Sequence, residues 1–463
     1  MNDPGTARNK PAIFFMLCPE RSAFNASFTL AQRLKDRGYE ISYLGTPDFE
    51  AYVTAQGFGY HAFSLASDAH AAPLSESWPI FLRRWYARRR AFLHYEKALQ
   101  QIVERAQQIV RETKPVLMLV DPLVSWQSVL PYRCGVPMIG VNATMASTFD
   151  VHIPPAFSEL LPAPESLSAR ARNLRAWGRI LFRGWYQRFA SEKIIPLTLG
   201  LMPRRSPVRA VKQRGARVLW SEYGPWIDLP ELVLSVRQLD FPRSVEVRNR
   251  VYVGSCVHLP RVDGQFDWTG FDADMPLVYC SLGTYSRAYP YAKRLFEAVI
   301  EALKRKDGLQ GIVQIGDVGI DVPGNLPERI RVVERVPQLE ILQRARVFVT
   351  HGGASSIRES LYFGVPTVVL PGWLDQFGNA ARVVYHGLGL RADMATITAG
   401  RMSALLDDSM DERFLRANAR MQQHFREQAS CQAGVDFIES FLQSRGAPHE
   451  ALPVAMPVTA REA

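Results

Sequence analysis

The sequence predicts an α/β protein made of two doubly wound, Rossmann-like parallel-sheet domains facing each other across a cleft, and three observations carry that expectation. Length is the first: 463 residues exceed the roughly 250–300 at which a single core stops growing. Short, continuously apolar runs are the second, because strands buried on both faces lack the alternation of a half-exposed sheet. The third is that these runs alternate with amphipathic helices, the pattern of βαβ units.

In the first half, residues 12–17 form a buried strand, and a helix follows over 25–37 with Phe28, Leu30, Ala31 and Leu34 on its apolar side. Gly38 stops that helix, and a second strand runs from Ile41 to Leu44. KPVLMLVDP (114–122) and GVPMIGVN (135–142) read as further buried strands. The second half repeats the scheme. MPLVYCSL (275–282) leads through Gly283-Thr284 into a helix over 291–306, whose Leu295, Phe296, Val299, Ile300 and Leu303 form one stripe. Strands follow at 310–316, 330–334, 346–350 and 366–371, and 411–444 reads as helical. The expected division is a first domain over 1–240, a connection over 241–275 marked by Pro242 and Pro260, and a second domain over 276–445. The last helix is free to return to the first domain, and 446–463 has the composition of a disordered tail.

Composition narrows the class. With 47% hydrophobic and 22% charged residues and no apolar run near the ~18 a spanning helix requires, the chain is expected to be globular and cytoplasmic. Residues 12–17 are too short and wrongly flanked for a secretory signal. Five cysteines, an odd number without CxxC spacing, suggest neither a disulfide framework nor a zinc site. The net charge of +10 gathers in FLRRWYARRRAFLHY (81–95) and ARARNLRAWGRILFRGWYQRF (169–189), which interleave arginine with aromatic residues at helical spacing. Two readings stay open for them: solvated helix faces around a small core, or peripheral docking on an anionic membrane face. No nucleic-acid motif accompanies the charge, so no nucleic-acid partner is expected.

The chemistry concentrates in RVPQLEIL (335–342) and HGGASSIRESLYFGVPTVVLPGWLDQFGNAARVVYHGLG (351–389). A buried strand delivers His351 at its carboxyl end, Gly352-Gly353 let the backbone turn, and a helix begins near Ala354. Free N–H groups at a helix start, two serine hydroxyls and an imidazole form an anion site that suits a diphosphate without a metal. Glu359, further along the helix, is placed to accept hydrogen bonds from a ribose diol, and Asp375-Gln376 to read sugar hydroxyls. Singly, these residues read as a core histidine, a solvated glutamate and a helix cap. Their joint spacing carries the functional reading.

These residues resemble the nucleotide-sugar signature of the UDP-glycosyltransferase family, of GT-B fold and bacterial natural-product or secondary-metabolite type. The resemblance covers nearly all of the C-terminal half and, more loosely, the first strand, turn and helix with TPDFEAYVTAQGF (46–58) behind them. It implies that His351, Gly353, Ser355 and Ser356 hold the diphosphate, Glu359 the ribose, and Asp375 and Gln376 the transferred sugar. It further implies that Gln338 and the Val336 backbone wall the nucleobase and ribose, and that Ser281, Gly283 and Thr284 touch the phosphates. Arg335 stands where plant members place a tryptophan under uracil. A guanidinium also stacks on a base, so the choice between a UDP-sugar and a TDP-sugar loosens. Ser355 replaces a usual asparagine.

The larger departure lies in CPERSAFNASF (18–28). Matching Asn25-Ala26 to the family's Asn-Pro puts Ala23 at the catalytic histidine, while Asp121 matches the aspartate that orients it. A methyl group takes no proton. Either Asp121 reaches the acceptor itself, or the acceptor arrives ionised. The expectation is an inverting, metal-independent hexosyltransferase without a cofactor, moving sugar from a UDP-sugar co-substrate, with UDP-glucose foremost, to a small lipophilic acceptor. Two alternatives remain: a nucleotide-sugar epimerase, whose sites the Asp375-Gln376 pair does not resemble, and a silent nucleotide-sugar-binding partner of another transferase.

Overall fold

The computed structural model describes residues 10–445 apart from 64–79, 122–129, 133, 146–148, 163–165, 200, 203–211, 213–214, 216, 223, 244–246, 248, 321 and 323. The tail expectation for 446–463 therefore lies outside the described residues.

The first sheet is parallel and holds β1 (Ala12–Met16), β2 (Glu40–Gly45), β3 (Gly59–Ala62), β4 (Leu117–Val120) and β5 (Met138–Asn142). A separate antiparallel pair, β6 (Val218–Ser221) with β7 (Gly224–Ile227), precedes β8 (Glu231–Val233) and β9 (Arg250–Tyr252), which complete the order β3-β2-β1-β4-β5-β8-β9. The second sheet comprises β10 (Leu277–Ser281), β11 (Gln310–Gln314), β12 (Ile330–Val333), β13 (Ala345–Thr350), β14 (Thr367–Val369) and β15 (Gly389–Arg391), ordered β12-β11-β10-β13-β14-β15. Both sheets change direction beside their first strand. The crevice between β1 and β4 and the crevice between β10 and β13 are the switch points where such sheets bind ligands.

The strands form where the sequence is apolar without interruption, as in Leu117–Val120, where all four residues are at most 1% exposed. The helix Ala292–Lys304 buries Leu295, Phe296, Val299, Ile300 and Leu303 against β10, β11 and β13. Each such side chain contributes ~1.5–3 kcal/mol of burial, and Phe296→Ala would cost ~3–5 kcal/mol.

Three differences from the sequence-based boundaries matter. The first helix spans Arg21–Asp36, so Ala23 lies inside its first turn rather than in a loop before it. Nothing between 21 and 25 breaks a helix, and the missing Pro at 26 removes the usual signal for a late start. The strand β9 falls inside the stretch expected as connection, and the first sheet extends to Tyr252. β8 and β9 are three residues each and carry Glu231 opposite Arg250, a polar pair that hides a buried strand. The segment 411–444 is two helices, Glu412–Glu427 and Gln432–Arg445, and the second packs Val435 and Ile438 into the first domain's core.

The domains meet through a shared apolar cluster. Met145, Val236 and Leu239 pack with Ile357, Leu361, Val383 and Phe425. A buried ion pair crosses beside it, Arg382 Nη2 donating to Asp240 Oδ1 at 2.6 Å, and burial opposes while Arg382 and Arg243 hold the Asp240 carboxyl down at about 2. No helix among the described residues is long and apolar enough to cross a membrane.

Candidate active site

The cleft between the two switch points encloses about 770 Å³. Its second-domain wall follows from the turn after β13. Gly352 sits at φ +84, which a side chain would strain, and a Cβ on Gly283 (φ +74) would meet His351 Cε1 at 2.8 Å. Glycines thus let two loops close directly on the imidazole. The helix Ala354–Phe363 starts at Gly353 with no side chain capping it, so first-turn N–H groups face the cleft beside His351 and Ser356. Burial lowers His351 to about 4, opposed by a hydrogen bond to the Ser281 backbone, so the ring is neutral at pH 7.

Gly283, Thr284, Arg335, Val336, Gln338, His351, Gly353, Ser355, Ser356, Glu359, Asp375 and Gln376 all line this one cleft. Several have protein partners already. Ser355 Oγ donates to the Ser22 carbonyl at 2.8 Å and accepts from Arg358 Nη2 at 2.9 Å, so it ties the two domains across the cleft floor. Glu359 Oε1 accepts from Arg261 Nη1 and Oε2 from Gln338 Nε2, each at 2.6 Å. A ribose diol binding there would have to share or displace those donors. Gln376 Nε2 donates to Tyr289 Oη at 2.7 Å while its Oε1 accepts from Gly372 N at 2.9 Å, which fixes the loop before Asp375 rather than leaving the amide free. Asp375 keeps an oxygen for the cleft, its Oδ2 accepting from Asn379 Nδ2 at 3.0 Å. Burial pushes its carboxyl up to about 6.

Two expected residues are not on the wall. Ser281 is 1% exposed and its Oγ accepts from Gly283 N at 3.1 Å, so it shapes the loop from beneath. Asp121, at the end of β4, is also 1% exposed, and its Oδ2 accepts from Cys18 N at 3.2 Å. Cys18 lines the cleft and Asp121 stands behind it. In this arrangement Asp121 does not line the cleft, because its carboxylate is held beneath the turn after β1 by the Cys18 N–H.

Sequence reasoning missed Arg261 and Arg358. Arg261 comes from the connection, pairs with Asp263 as well as Glu359, and faces Asn25 at 2.9 Å once that amide oxygen is turned toward it. No local pattern announced it. Arg358 is 1% exposed and donates to the Ala143 carbonyl at 2.6 Å, a cation buried near the helix start. Its signal was an arginine among buried helix positions, between Ile357 and Glu359. Among the described residues no group of three or more His, Cys, Asp and Glu side chains could hold a metal ion.

Two parallel-sheet α/β domains closing a cleft at their paired switch points, with an uncapped helix start and a half-buried histidine on one wall, define the GT-B architecture. Residues 299–434 match the family model of the erythromycin biosynthesis protein CIII-like C-terminal domain. The chain is 35% identical over 178 residues to the NDP-glycosyltransferase YjiC of Bacillus licheniformis, an alignment spanning 38% of this chain and only 44% of that one. Over 433 residues it is 27% identical to the oleandomycin glycosyltransferase of Streptomyces antibioticus, covering 91% and 88% of the two chains. The solved glycotransferase of kitacinnamycin shares the fold with a TM-score of 0.63 at 24% identity, over 93% of this chain and 99% of that one. Over most of its length the chain is similar to natural-product glycosyltransferases, and it shares the GT-B fold of the solved ones.

Proposed function

We propose that this protein moves a hexose from a nucleoside-diphosphate sugar, with UDP-glucose foremost and a TDP-sugar as the second donor, onto a small lipophilic acceptor with inversion. The observation that carries the reading is the uncapped start of the helix Ala354–Phe363 beside His351, with Asp375 held on the same wall. A departing diphosphate gains charge as the sugar bond breaks, and helix-start N–H groups, the imidazole N–H and the Arg358 field stabilise that charge without reorganising. Arg335, exposed on the wall, suits stacking on the base. A single displacement, acceptor oxygen attacking the anomeric carbon in line behind the diphosphate, inverts the centre. Ala23 leaves that step without the usual imidazole base, which favours acceptors whose nucleophile ionises readily, such as carboxylic acids and acidic phenols. The test incubates the protein with labelled UDP-glucose, or labelled TDP-glucose, and a panel of carboxylic acids, phenols and alcohols. Donor-dependent product with the β linkage from an α donor supports the reading. Donor binding without any product would favour the silent partner.

The acceptor side has a surface suited to lipophilic substrates. The helix Leu167–Phe189 is anchored by Trp177, whose Nε1 donates to the Ile153 carbonyl at 2.9 Å, and presents Phe182, Trp185, Tyr186 and Phe189 in one exposed stripe. Exposed Arg175, Arg179 and Arg183 run beside it, and Trp85 of the helix Ile80–Thr113 joins the patch by donating to the Thr198 carbonyl at 2.8 Å. Aromatic rings beside guanidinium groups match the headgroup layer of an anionic bilayer, where each arginine contributes ~1 kcal/mol. Salt-sensitive sedimentation with anionic but not neutral liposomes is the expected result; its absence returns the helices to a solvated surface.

A further inference from the structure

The first helix holds a carboxylate that the family comparison of residue 23 overlooks. Glu20 is the N-cap residue of the helix Arg21–Asp36, in extended backbone at φ −136 and ψ 135, and Ala23 is the third helical position. Side chains at these two positions meet on the same side of a helix start, the geometry that capping boxes exploit. Both line the cleft, and Ala23 leaves the space between them to a methyl group. Glu20 has no side-chain capping bond to its own helix. Its Oε2 accepts from the Ser22 hydroxyl at 3.3 Å, and among the described residues no Lys, Arg or His lies in ion-pair contact with it. The neighbouring Arg21 is turned away, its guanidinium 4.4 Å from the Tyr52 ring centre. Facing Glu20 electrostatically are Cys18 from the end of β1, Tyr285 and Tyr289 from the loop after β10, and Asp375 from the sugar-side wall. Glu20 and Asp375 therefore bracket the part of the cleft where sugar and acceptor would meet. Glu20 is solvent-exposed on the cleft wall, and partial desolvation there raises its carboxyl above the ordinary glutamate value, with the Ser22 hydrogen bond opposing.

We propose that Glu20, not Asp121, takes the acceptor proton when the acceptor arrives as a neutral hydroxyl. This rests on the transferase reading and deepens it. As the acceptor oxygen bonds to the anomeric carbon, the bond from that carbon to the diphosphate oxygen breaks. The hydroxyl proton passes to a Glu20 oxygen, the bonding pair leaves with the nucleoside diphosphate, and the neutral Glu20 later returns its proton to water. An acceptor that binds as a carboxylate has no proton to give and bypasses this residue.

The experiment compares the full-length chain with Glu20→Gln and Glu20→Asp, using labelled UDP-glucose and TDP-glucose with a phenol, an aliphatic alcohol and an aromatic carboxylate, across pH. Positioned general bases supply roughly 10²–10⁴ in rate. Glu20→Gln should lose at least about a hundredfold on the phenol and the alcohol, lose far less on the carboxylate, and flatten the acidic limb of kcat/KM for the phenol. Glu20→Asp should restore part of the phenol rate. UDP binding and melting temperature report whether each variant is folded. Phenol transfer by Glu20→Gln within about threefold of the unaltered chain overturns the inference alone, as does an equal loss on all three acceptors. No product from the unaltered chain with any acceptor overturns the transferase reading, and this inference with it.

Discussion

Replacing Asp375 with asparagine should separate recognition of the sugar from recognition of the nucleotide. Asp375 precedes the helix Gln376–Tyr385, one oxygen tied to Asn379 and the other facing the cleft. Burial lifts its carboxyl from 3.8 to about 6; the Asn379 hydrogen bond opposes this and the Glu20 charge adds to it. At pH ~7.5 the group is ionised, and a charge-assisted hydrogen bond to a sugar hydroxyl contributes ~1.5–3 kcal/mol, about 10–150-fold in affinity. Asparagine keeps the shape and loses the charge. Asp375→Asn should therefore bind UDP-glucose ~10–150-fold more weakly at pH ~7.5 and bind UDP as the unaltered chain does. Acid should imitate the substitution. Because the carboxyl titrates upward-shifted, the anion is present above about pH 6 and lost as pH falls through it, and only about a tenth remains at pH ~5. The advantage of the unaltered chain over Asp375→Asn for UDP-glucose should shrink about five- to tenfold between those two pH values. Titration calorimetry with both proteins, both ligands and both buffers reads all of this. Equal losses for UDP and UDP-glucose, or a ratio that does not change with pH, would refute the reasoning.

His351→Ala should weaken UDP and UDP-glucose alike, by ~1–2 kcal/mol or about 5–30-fold, since in the proposed site the imidazole faces only the shared diphosphate. The same residue shapes acid stability. With its folded value near 4 against 6.5 when unfolded, its contribution is complete above about pH 6.5 and lost as pH falls to about 4, worth roughly 3 kcal/mol, and melting scans of His351→Gln should show a shallower acid loss. Arg382→Met leaves Asp240 buried with Arg243, Tyr252 and the Phe241 N–H as partners; it should cost ~3–5 kcal/mol in denaturant titrations, and a cost under ~1 kcal/mol would show the ion pair to be dispensable. Ala23→His places an imidazole in the space beside Glu20 and should raise transfer to aliphatic alcohols several-fold in the labelled-donor assay; an unchanged rate would mean that proton removal does not limit that reaction.

Local physics made much of this protein readable in one dimension. Strand-length apolar runs such as LVYCS, the stripe of Leu295 to Leu303, and the strand-His-Gly-Gly-helix segment at 345–363 each specify their conformation within a few residues, because hydrogen bonding, side-chain alternation and glycine torsions act at that range. The clustering of His351, Gly353, Ser356, Glu359 and Asp375 on one wall followed from that local order, since parallel strands bring successive carboxyl ends to one edge. What the sequence left undecided depends on how the two domains dock. Arg261 meets Glu359 from 98 positions away, Ser355 meets Ser22 from 333, and Arg382 meets Asp240 from 142. Such pairs have no periodicity, and a charge in a connecting segment looks the same whether it ends in solvent or on a buried carboxylate such as Glu359. The proton acceptor shows the same division. The sequence located the missing imidazole at Ala23 and offered Asp121 in its place, but only the packed turn after β1 sets Asp121 behind Cys18 and leaves Glu20 on the cleft wall, because Asp121 reaches that turn from 103 positions away and no local pattern fixes which side of it the carboxylate meets.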